Sequence, residues 1–273
     1  MTANMAMKKY GFIGLGDQGG PIARRMIDAN LPTLLWARRS ESLAPFADTP
    51  AQVTKTIREL AEQVDYVGIC VVDDAGVQQI CDQLIPHMRA GGLIVIHSTV
   101  HPSLCKSLAD RALANGLMLI DAPVSGGGMS AAAGSLTIMA GGNTEAFAAA
   151  RPVLETFGKL IVHLGDVGSG QRAKLINNAM LAANIAIAHY GNEAAKSLDL
   201  DRDAFIQLIK SSSGHSFGFD VSARMSSPTA FAHGAKLLNK DVRLLADTLR
   251  ESPPAHVICD TAFSFLKLAL TDA

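Results

Sequence analysis

The sequence predicts an α/β protein: an N-terminal doubly wound parallel sheet, then an all-α C-terminal part joined to it by a long helix. Three observations carry this. A glycine-rich turn, Gly14-x-Gly16-x-x-Gly19, directly follows a short apolar run. Apolar runs then alternate with helical patterns, the arrangement of parallel βαβ units. From Gly170 onward only helical patterns remain. The boundary falls near Gly168-Ser169-Gly170, giving domains 1–168 and 169–273 in a chain of 273 residues, long enough for two of ordinary size.

The first strand is Lys8–Ile13, where two lysines lead into Tyr-Gly-Phe-Ile. Each glycine of the turn after it has a mechanical reason. Gly14 allows the tight turn, Gly16 lets backbone approach a pyrophosphate, and Gly19 lets the next helix pack closely on the strand. That helix, Ile22–Ala29, has Pro21 at its first turn, where proline is tolerated. Leu34-Leu35-Trp36 supplies the next apolar run, about 20 residues on, as a dinucleotide-binding βα turn requires. Further strands are expected at Tyr66–Val72, Leu93–His97 and Leu117–Asp121, with helices at Gly76–His87 and Ser103–Ala114 between them. Leu136–Ala140 and Leu160–Leu164 read as two more strands at the far side of the sheet, flanking a helix at Thr144–Phe157. Gln171–Leu198 reads as one long helix, with Leu175, Ala179, Ala182, Ala183, Ala186 and Ile187 recurring every three or four positions. Asp201–Ser211, Ala235–Ser252 and Pro254–Thr271 follow as helices, the last two separated by Pro253-Pro254.

Composition excludes several function classes. The chain is 48% hydrophobic and 18% charged, so it can bury a sizeable core, and its net charge of −1 speaks against a nucleic-acid or membrane-surface partner. Its four cysteines show no CxxC spacing, which points to reduced thiols; no metal site is expected. Met1–Lys9 has no apolar stretch after its lysines and so reads as no signal peptide. The longest apolar stretch, Ala179–Ala188, is interrupted by Asn184 and too short to span a bilayer. A cytoplasmic protein is expected.

Three more motifs bear on chemistry. Asp121-Ala-Pro-Val-Ser125-Gly126-Gly127-Gly128-Met129-Ser130 follows a strand; its consecutive backbone N–H groups and the Ser125 hydroxyl suit an anion such as a carboxylate, and it reads equally as a flexible connection. In Gly168-Ser-Gly-Gln-Arg-Ala-Lys174-Leu-Ile-Asn-Asn178, Lys174 and Asn178 are four apart and share a helix face. A lysine beside an amide on an apolar helix suits proton transfer, because burial loosens a lysine's hold on its proton. Taken alone, the pair reads better as a solvated lysine and a packing amide. Lys240-Asp241, inside a helical pattern, reads alone as a surface ion pair.

Together and in this order, the motifs resemble those of the β-hydroxyacid dehydrogenase family, which includes 3-hydroxyisobutyrate dehydrogenases, tartronate and succinic semialdehyde reductases and, more distantly, 6-phosphogluconate dehydrogenase. Gly11-Phe-Ile-Gly-Leu-Gly16 with Gly19 and Pro21 matches the cofactor motif; Asp121–Gly127, continued by Gly134–Gly142, matches the substrate loop; Gly168–Asn178 and Lys240-Asp241 match the other two. The resemblance covers nearly the whole chain. It implies a Rossmann domain that holds NAD(P) through Gly14, Leu15, Gly16, Gln18 and Gly19, with Val72, Asp73, Thr99 and Lys240 also approaching the cofactor. It implies Lys174 as general acid/base, Asn178 as the amide that orients the substrate, and Ser125, Gly126, Gly127 and Lys240 as substrate-binding residues. It implies hydride transfer between the nicotinamide and a small β-hydroxy acid or its semialdehyde, in a homodimer or homotetramer. Two departures stand out. Gln18 replaces a usual Met, and Ser211–Phe219 carries His215, Phe217 and Phe219 where the family lines its substrate site.

The second strand ends Trp36-Ala37-Arg38-Arg39-Ser40, with no acidic residue before Glu41 to take a ribose 2′-OH. Arg38 and Arg39 suit a 2′-phosphate instead, so NADP is the expected cofactor, with NAD possible. Two rivals remain: an imine reductase on the same architecture, against which Lys174 argues, and a non-catalytic cofactor-sensing protein, which need not have kept Lys174 or the Ser125 loop.

Overall fold

A computed structural model describes residues 9–250 and 255–271. The expected leader-free start, the Lys8 end of the first strand, and the Ser252 and Pro253-Pro254 helix limits therefore lie outside the described residues. The chain divides into two compact units, Met1–Lys174 and Leu175–Ala273.

The first unit runs β1 (Tyr10–Ile13), α1 (Gly19–Asp28), β2 (Thr33–Trp36), a 3₁₀ turn at Ser40–Phe46, β3 (Gln52–Val53), α2 (Ile57–Ala61), β4 (Tyr66–Ile69), α3 (Asp74–Leu84), β5 (Leu93–Ile96), α4 (Pro102–Ala114) and β6 (Met118–Asp121). These six strands form one sheet in the order β3-β2-β1-β4-β5-β6, all parallel. The order reverses between β2 and β4, on either side of β1, and the carboxyl ends of strands at such a reversal are where open α/β sheets bind ligands.

Side-chain alternation builds a core on each face of the sheet. In β5, Leu93 and Val95 join a cluster with Phe12, Ile22, Met26 and Phe157. Ile94 and Ile96 join the opposite cluster with Ile13, Leu60, Leu84 and Leu108. Because strands buried on both faces need apolar residues at every position, β4 and β5 read as continuous apolar runs.

The chain then adds β7 (Val124–Ser125), α5 (Gly127–Ala132), β8 (Leu136–Ala140), α6 (Thr144–Leu154) and β9 (Gly158–His163). Here the structure corrects the sequence expectation. β8 and β9 do not extend the main sheet; with β7 they form a separate three-stranded sheet, β7 antiparallel to β8 and β9 parallel to it. An isolated bridge, Asp121 to Gly141, links it to β6. After that bridge the chain passes Pro123, whose carbonyl accepts from the Met139 N–H (3.0 Å), and folds back along β8. A second correction concerns the glycine-rich stretch after Ser125, which is not an open loop. Gly126 (φ +132°) and Gly127 (φ +72°) lead into the short helix α5.

The second unit is all helical. The 29-residue α7 (Ser169–Ser197) leads into it, followed by α8 (Arg202–Lys210), α9 (Phe217–Ala223), a 3₁₀ turn at Pro228–Phe231, α10 (Ala232–Thr248) and α11 (His256–Ala269). Its core is three interlocked stripes at three- and four-residue spacing: Leu175, Ala179, Ala182 and Ala186; Ala235, Leu238, Val242 and Leu245; Cys259, Ala262, Leu266 and Ala269. Among the described residues no helix is long and apolar enough to cross a membrane.

Candidate active site

The turn from β1 to α1 shows three glycines in three separate jobs. Gly14 has φ +97°, and a Cβ on it would collide with the Cys70 carbonyl oxygen at the end of β4. A Cβ on Gly19 would collide with the Gly14 carbonyl oxygen, so only glycine lets α1 close onto the strand. Gly16 differs from both: nothing lies within 4 Å of where its Cβ would be. The turn thus leaves an open cradle at its middle glycine. Leu15 packs inward at 9% exposure, so only its backbone faces the turn. Gln18 precedes the first residue of α1 without capping it through its side chain, and the first turn of α1 has no acidic residue. An uncompensated positive helix end beside an open backbone cradle fits a pyrophosphate.

The loops after β4 and β5 are tied together. The Val71 N–H donates to Ser98 Oγ (2.7 Å) and the His101 N–H to Asp74 Oδ2 (2.9 Å). Asp73 caps α3 by accepting from the Gly76 N–H (2.8 Å), while Val72 is 72% exposed. Thr99 is half-buried between fully buried neighbours. Arg38 and Arg39 follow β2, both exposed, and among the described residues neither pairs with a carboxylate.

Beneath Thr99, His97 is a core residue. The Ala122 carbonyl can only accept, so the contact at 2.9 Å places the proton on Nδ1. The ring stacks on Phe12 and meets Phe157 edge-on, and burial lowers its pKa to about 4, so it stays neutral.

Ser125 ends β7, half-buried, and Gly126 and Gly127 are exposed. A Cβ on Gly127 would meet nothing within 4 Å, whereas one on Gly128 would lie 2.5 Å from the Asp17 carbonyl oxygen. The structure therefore brings the Ser125 segment against the nucleotide turn, and Gly127 is a second open cradle.

Lys174, 9% exposed, lies in the second turn of α7, and Asn178, 7% exposed, one turn further on. In the helical unit, Asn178 Nδ2 donates to Asp241 Oδ2 (2.6 Å), and Lys240 Nζ lies 3.2 Å from Asp241 Oδ1. Asp241 thus joins Asn178 and Lys240 although their sequence separation is large. As a candidate residue it was missed in the sequence; the signal was a carboxylate in an otherwise apolar helical stripe.

Two more missed residues meet at the start of α7, one from the end of β6 and one from the helix itself. Asp121 is fully buried and accepts from the N–H groups of Gly168 (2.6 Å) and Gln171 (2.8 Å). Burial pushes its carboxyl up to about 6, even though those two donors pull it down. Gln171, also fully buried, donates through Nε2 to the Ser98 carbonyl (2.9 Å) and accepts at Oε1 from the Val100 N–H (3.1 Å).

Among the described residues no group of three or more His, Cys, Asp or Glu could hold a metal ion. His215 Nε2 lies 3.0 Å from Asp220 Oδ2; nearby, Phe217 is exposed and Phe219 buried.

Comparison with known proteins gives this geometry a context. Residues 9–165 match the family described as the NAD binding domain of 6-phosphogluconate dehydrogenase. Residues 168–272 match the family described as NAD-binding of NADP-dependent 3-hydroxyisobutyrate dehydrogenase. The chain is 30% identical to a 3-hydroxyisobutyrate dehydrogenase of Pseudomonas aeruginosa, over 94% of this chain and 92% of that one. It is 33% identical to the mitochondrial 3-hydroxyisobutyrate dehydrogenase of Mus musculus, over 81% of this chain and 67% of that one. A solved Mycobacterium tuberculosis 3-hydroxyisobutyrate dehydrogenase with L-serine superposes with TM-score 0.87 at 25% identity, over 97% of this chain and 94% of that one. The open glycine cradle and the unopposed start of α1 fit the nucleotide that these matches imply. The chain belongs to the β-hydroxyacid dehydrogenase family and is a nicotinamide-dependent oxidoreductase of the 3-hydroxyisobutyrate dehydrogenase type.

Proposed function

We propose that the protein moves hydride reversibly between NADP(H) and a small β-hydroxy acid or the corresponding semialdehyde or oxo acid, with Lys174 as general acid/base. The observation that carries this is a lysine kept 9% exposed near the start of α7, one helical turn from the equally buried amide of Asn178. A lysine placed only for solubility would lie in water.

When bound, the nicotinamide accepts hydride in oxidation and supplies it in reduction. Backbone at Gly14, Leu15, Gly16, Gln18 and Gly19 holds the pyrophosphate, with Val72, Asp73, Thr99 and Lys240 also approaching the cofactor. Arg38 and Arg39 take the 2′-phosphate through charge-assisted hydrogen bonds. In oxidation, neutral Lys174 accepts the substrate hydroxyl proton on Nζ; in reduction, protonated Lys174 returns it to the carbonyl oxygen. Asp241 takes one Nδ2 hydrogen of Asn178, leaving the other for the substrate oxygen. Ser125, Gly126 and Gly127 bind the carboxylate, with Lys240 adding positive charge. In this reading residues 1–168 bind the nucleotide, while 169–273 complete the substrate site and form the homo-oligomer. The exposed Ile176, Met180, Ile187 and Tyr190, recurring along α7, support such an assembly, which light scattering after size exclusion would measure.

The test is an NADP-linked screen over β-hydroxy acids, including 3-hydroxyisobutyrate and L-serine, and over semialdehydes, with cyclic imines as the counter-screen. Lys174→Ala should abolish turnover while NADPH binding stays measurable. Near-normal turnover in that variant overturns the role of Lys174, and better kinetics with NADH than with NADPH overturns the cofactor assignment.

A further inference from the structure

We propose that Gln171 is a positioning residue of the reaction: its side-chain amide locks the Ser98–Val100 segment, and with it Thr99, to the first turn of the helix that carries Lys174. The inference rests on the reading of Lys174 and Thr99 just given.

The geometry is a two-point clamp of opposite polarity. Nε2 donates to the Ser98 carbonyl at 2.9 Å and Oε1 accepts from the Val100 N–H at 3.1 Å, so the amide brackets Thr99 on both sides. The same residue is fixed from behind, because its own N–H donates to Asp121 Oδ2 at 2.8 Å. Gln171 is fully buried, as is Val100, so no water can replace a lost bond without opening the interior. Further links of the segment include Ser98 Oγ, which accepts from the Val71 N–H, and Asp74, which accepts from the His101 N–H. Those links fix the segment to the loop after β4; Gln171 is what fixes it to the lysine helix, three residues before Lys174. Catalytic groups lose much of their advantage when misplaced by about 1 Å, and a clamp of this kind prevents that.

The polarity makes the inference testable. Gln171→Glu keeps the shape and the acceptor for Val100, but its ionised form turns a second acceptor towards the Ser98 carbonyl. Protonation restores the missing donor. Gln171→Met keeps the volume and removes both hydrogen bonds. Ionisable groups around this position include Cys105, whose thiol also meets the Gln171 side chain, with Asp121, Asp74, Cys81 and Arg172 beyond it, so each variant is read as a ratio to the wild-type protein at the same pH.

Both variants are assayed at a temperature where circular dichroism shows them folded, with NADPH affinity measured separately by fluorescence. The expected result is a fall in kcat of about 10–100-fold for both at about pH 8, with NADPH affinity changed less than about threefold. In addition, the Gln171→Glu ratio recovers as the pH is lowered towards about 6, while the Gln171→Met ratio does not. Wild-type kcat in either folded variant overturns the inference, as does a loss without pH recovery in Gln171→Glu. Failure of both variants to fold at any temperature also overturns it, since the amide would then serve folding alone. A wild-type protein inactive on every hydroxy acid and semialdehyde would instead sink the reading of the reaction, and the two failures are thereby told apart.

Discussion

The glycine turn and the first turn of α7 both lie at the carboxyl ends of the sheet strands, and they fix their surroundings by opposite means. At Gly14–Gly19 side chains have been removed: two glycines let backbone close on backbone, and the third leaves room for a ligand. At Gly168–Gln171 a carboxylate and an amide have been packed into the dry interior, and each hydrogen bond is matched donor to acceptor. At Gly14 and Gly19 the first region tolerates no addition of matter. The second tolerates no change of polarity. Shape and polarity therefore fail differently when altered, and that difference can be measured.

The largest effect is expected from adding a single methyl group to the turn. Gly19→Ala drives a Cβ into the Gly14 carbonyl, and should cost about 3 kcal/mol or more in urea unfolding and remove cofactor binding. A stable Gly19→Ala protein that binds NADPH normally would break the contrast.

Asp121→Asn comes next. The substituted amide keeps one acceptor and turns an N–H₂ towards one of the two backbone donors, for a cost of about 1–3 kcal/mol. The cost should depend on pH. The folded Asp121 takes up its proton at about 6, and the unfolded one nearer 3.8. Between those values the folded state binds the extra proton, so wild-type stability gains from this group as the pH falls through 6 and loses it as the pH rises. The variant lacks that gain, and its deficit should widen by roughly 2–3 kcal/mol from about pH 7 to about pH 4. His97, lowered to about 4, acts in the opposite direction but equally in both proteins, so the difference isolates Asp121. A deficit constant over this range would show that Asp121 keeps its charge.

Gly16→Ala sharpens the comparison because its methyl group meets no protein atom. Thermal stability should hold, while NADPH affinity falls about 10–100-fold, on the order of 1.4–2.8 kcal/mol. A stability loss without an affinity loss would assign the cradle to packing. The smallest effect is expected at the rim: Arg38→Ala should weaken NADPH about tenfold relative to NADH and leave stability within about 0.5 kcal/mol, as for other exposed positions.

These regions also differ in how far the sequence discloses them. The glycine turn is local: Gly14, Gly16 and Gly19 stand within six positions, and each is needed for a reason stated by backbone geometry alone. Five of the six strands of the main sheet, β1, β2, β4, β5 and β6, are disclosed by local apolar runs for the same reason. What stayed hidden was either too short for a period or assembled across long separations. β3 and β7 have two residues each, too few to show alternation. α5 begins in glycines, which mask the helix formers after them. Asp121 was visible as the first residue of a motif and Gln171 as a neighbour of Lys174, yet nothing in either segment says that they bond to each other. Asp241 was visible as half of an apparent surface pair and as the second residue of the Lys240-Asp241 motif, with no sign of its partner in α7. Its bond to Asn178 spans 63 positions and exists only once α7 and α10 are packed.

The clamp at Gln171 also has a consequence for the order in which the protein is made. The Ser98 carbonyl waits 73 positions for its donor. A nascent chain that has completed β5 and even β6 already has the glycine turn in full, but the segment around Thr99 still has an unmatched carbonyl and N–H. Those two groups are matched only when the first turn of α7 arrives. A chain ending before Gln171 would therefore hold every residue of the glycine turn and leave the Ser98 carbonyl and the Val100 N–H without the amide that joins them, so the two regions are completed at different points along the direction of synthesis.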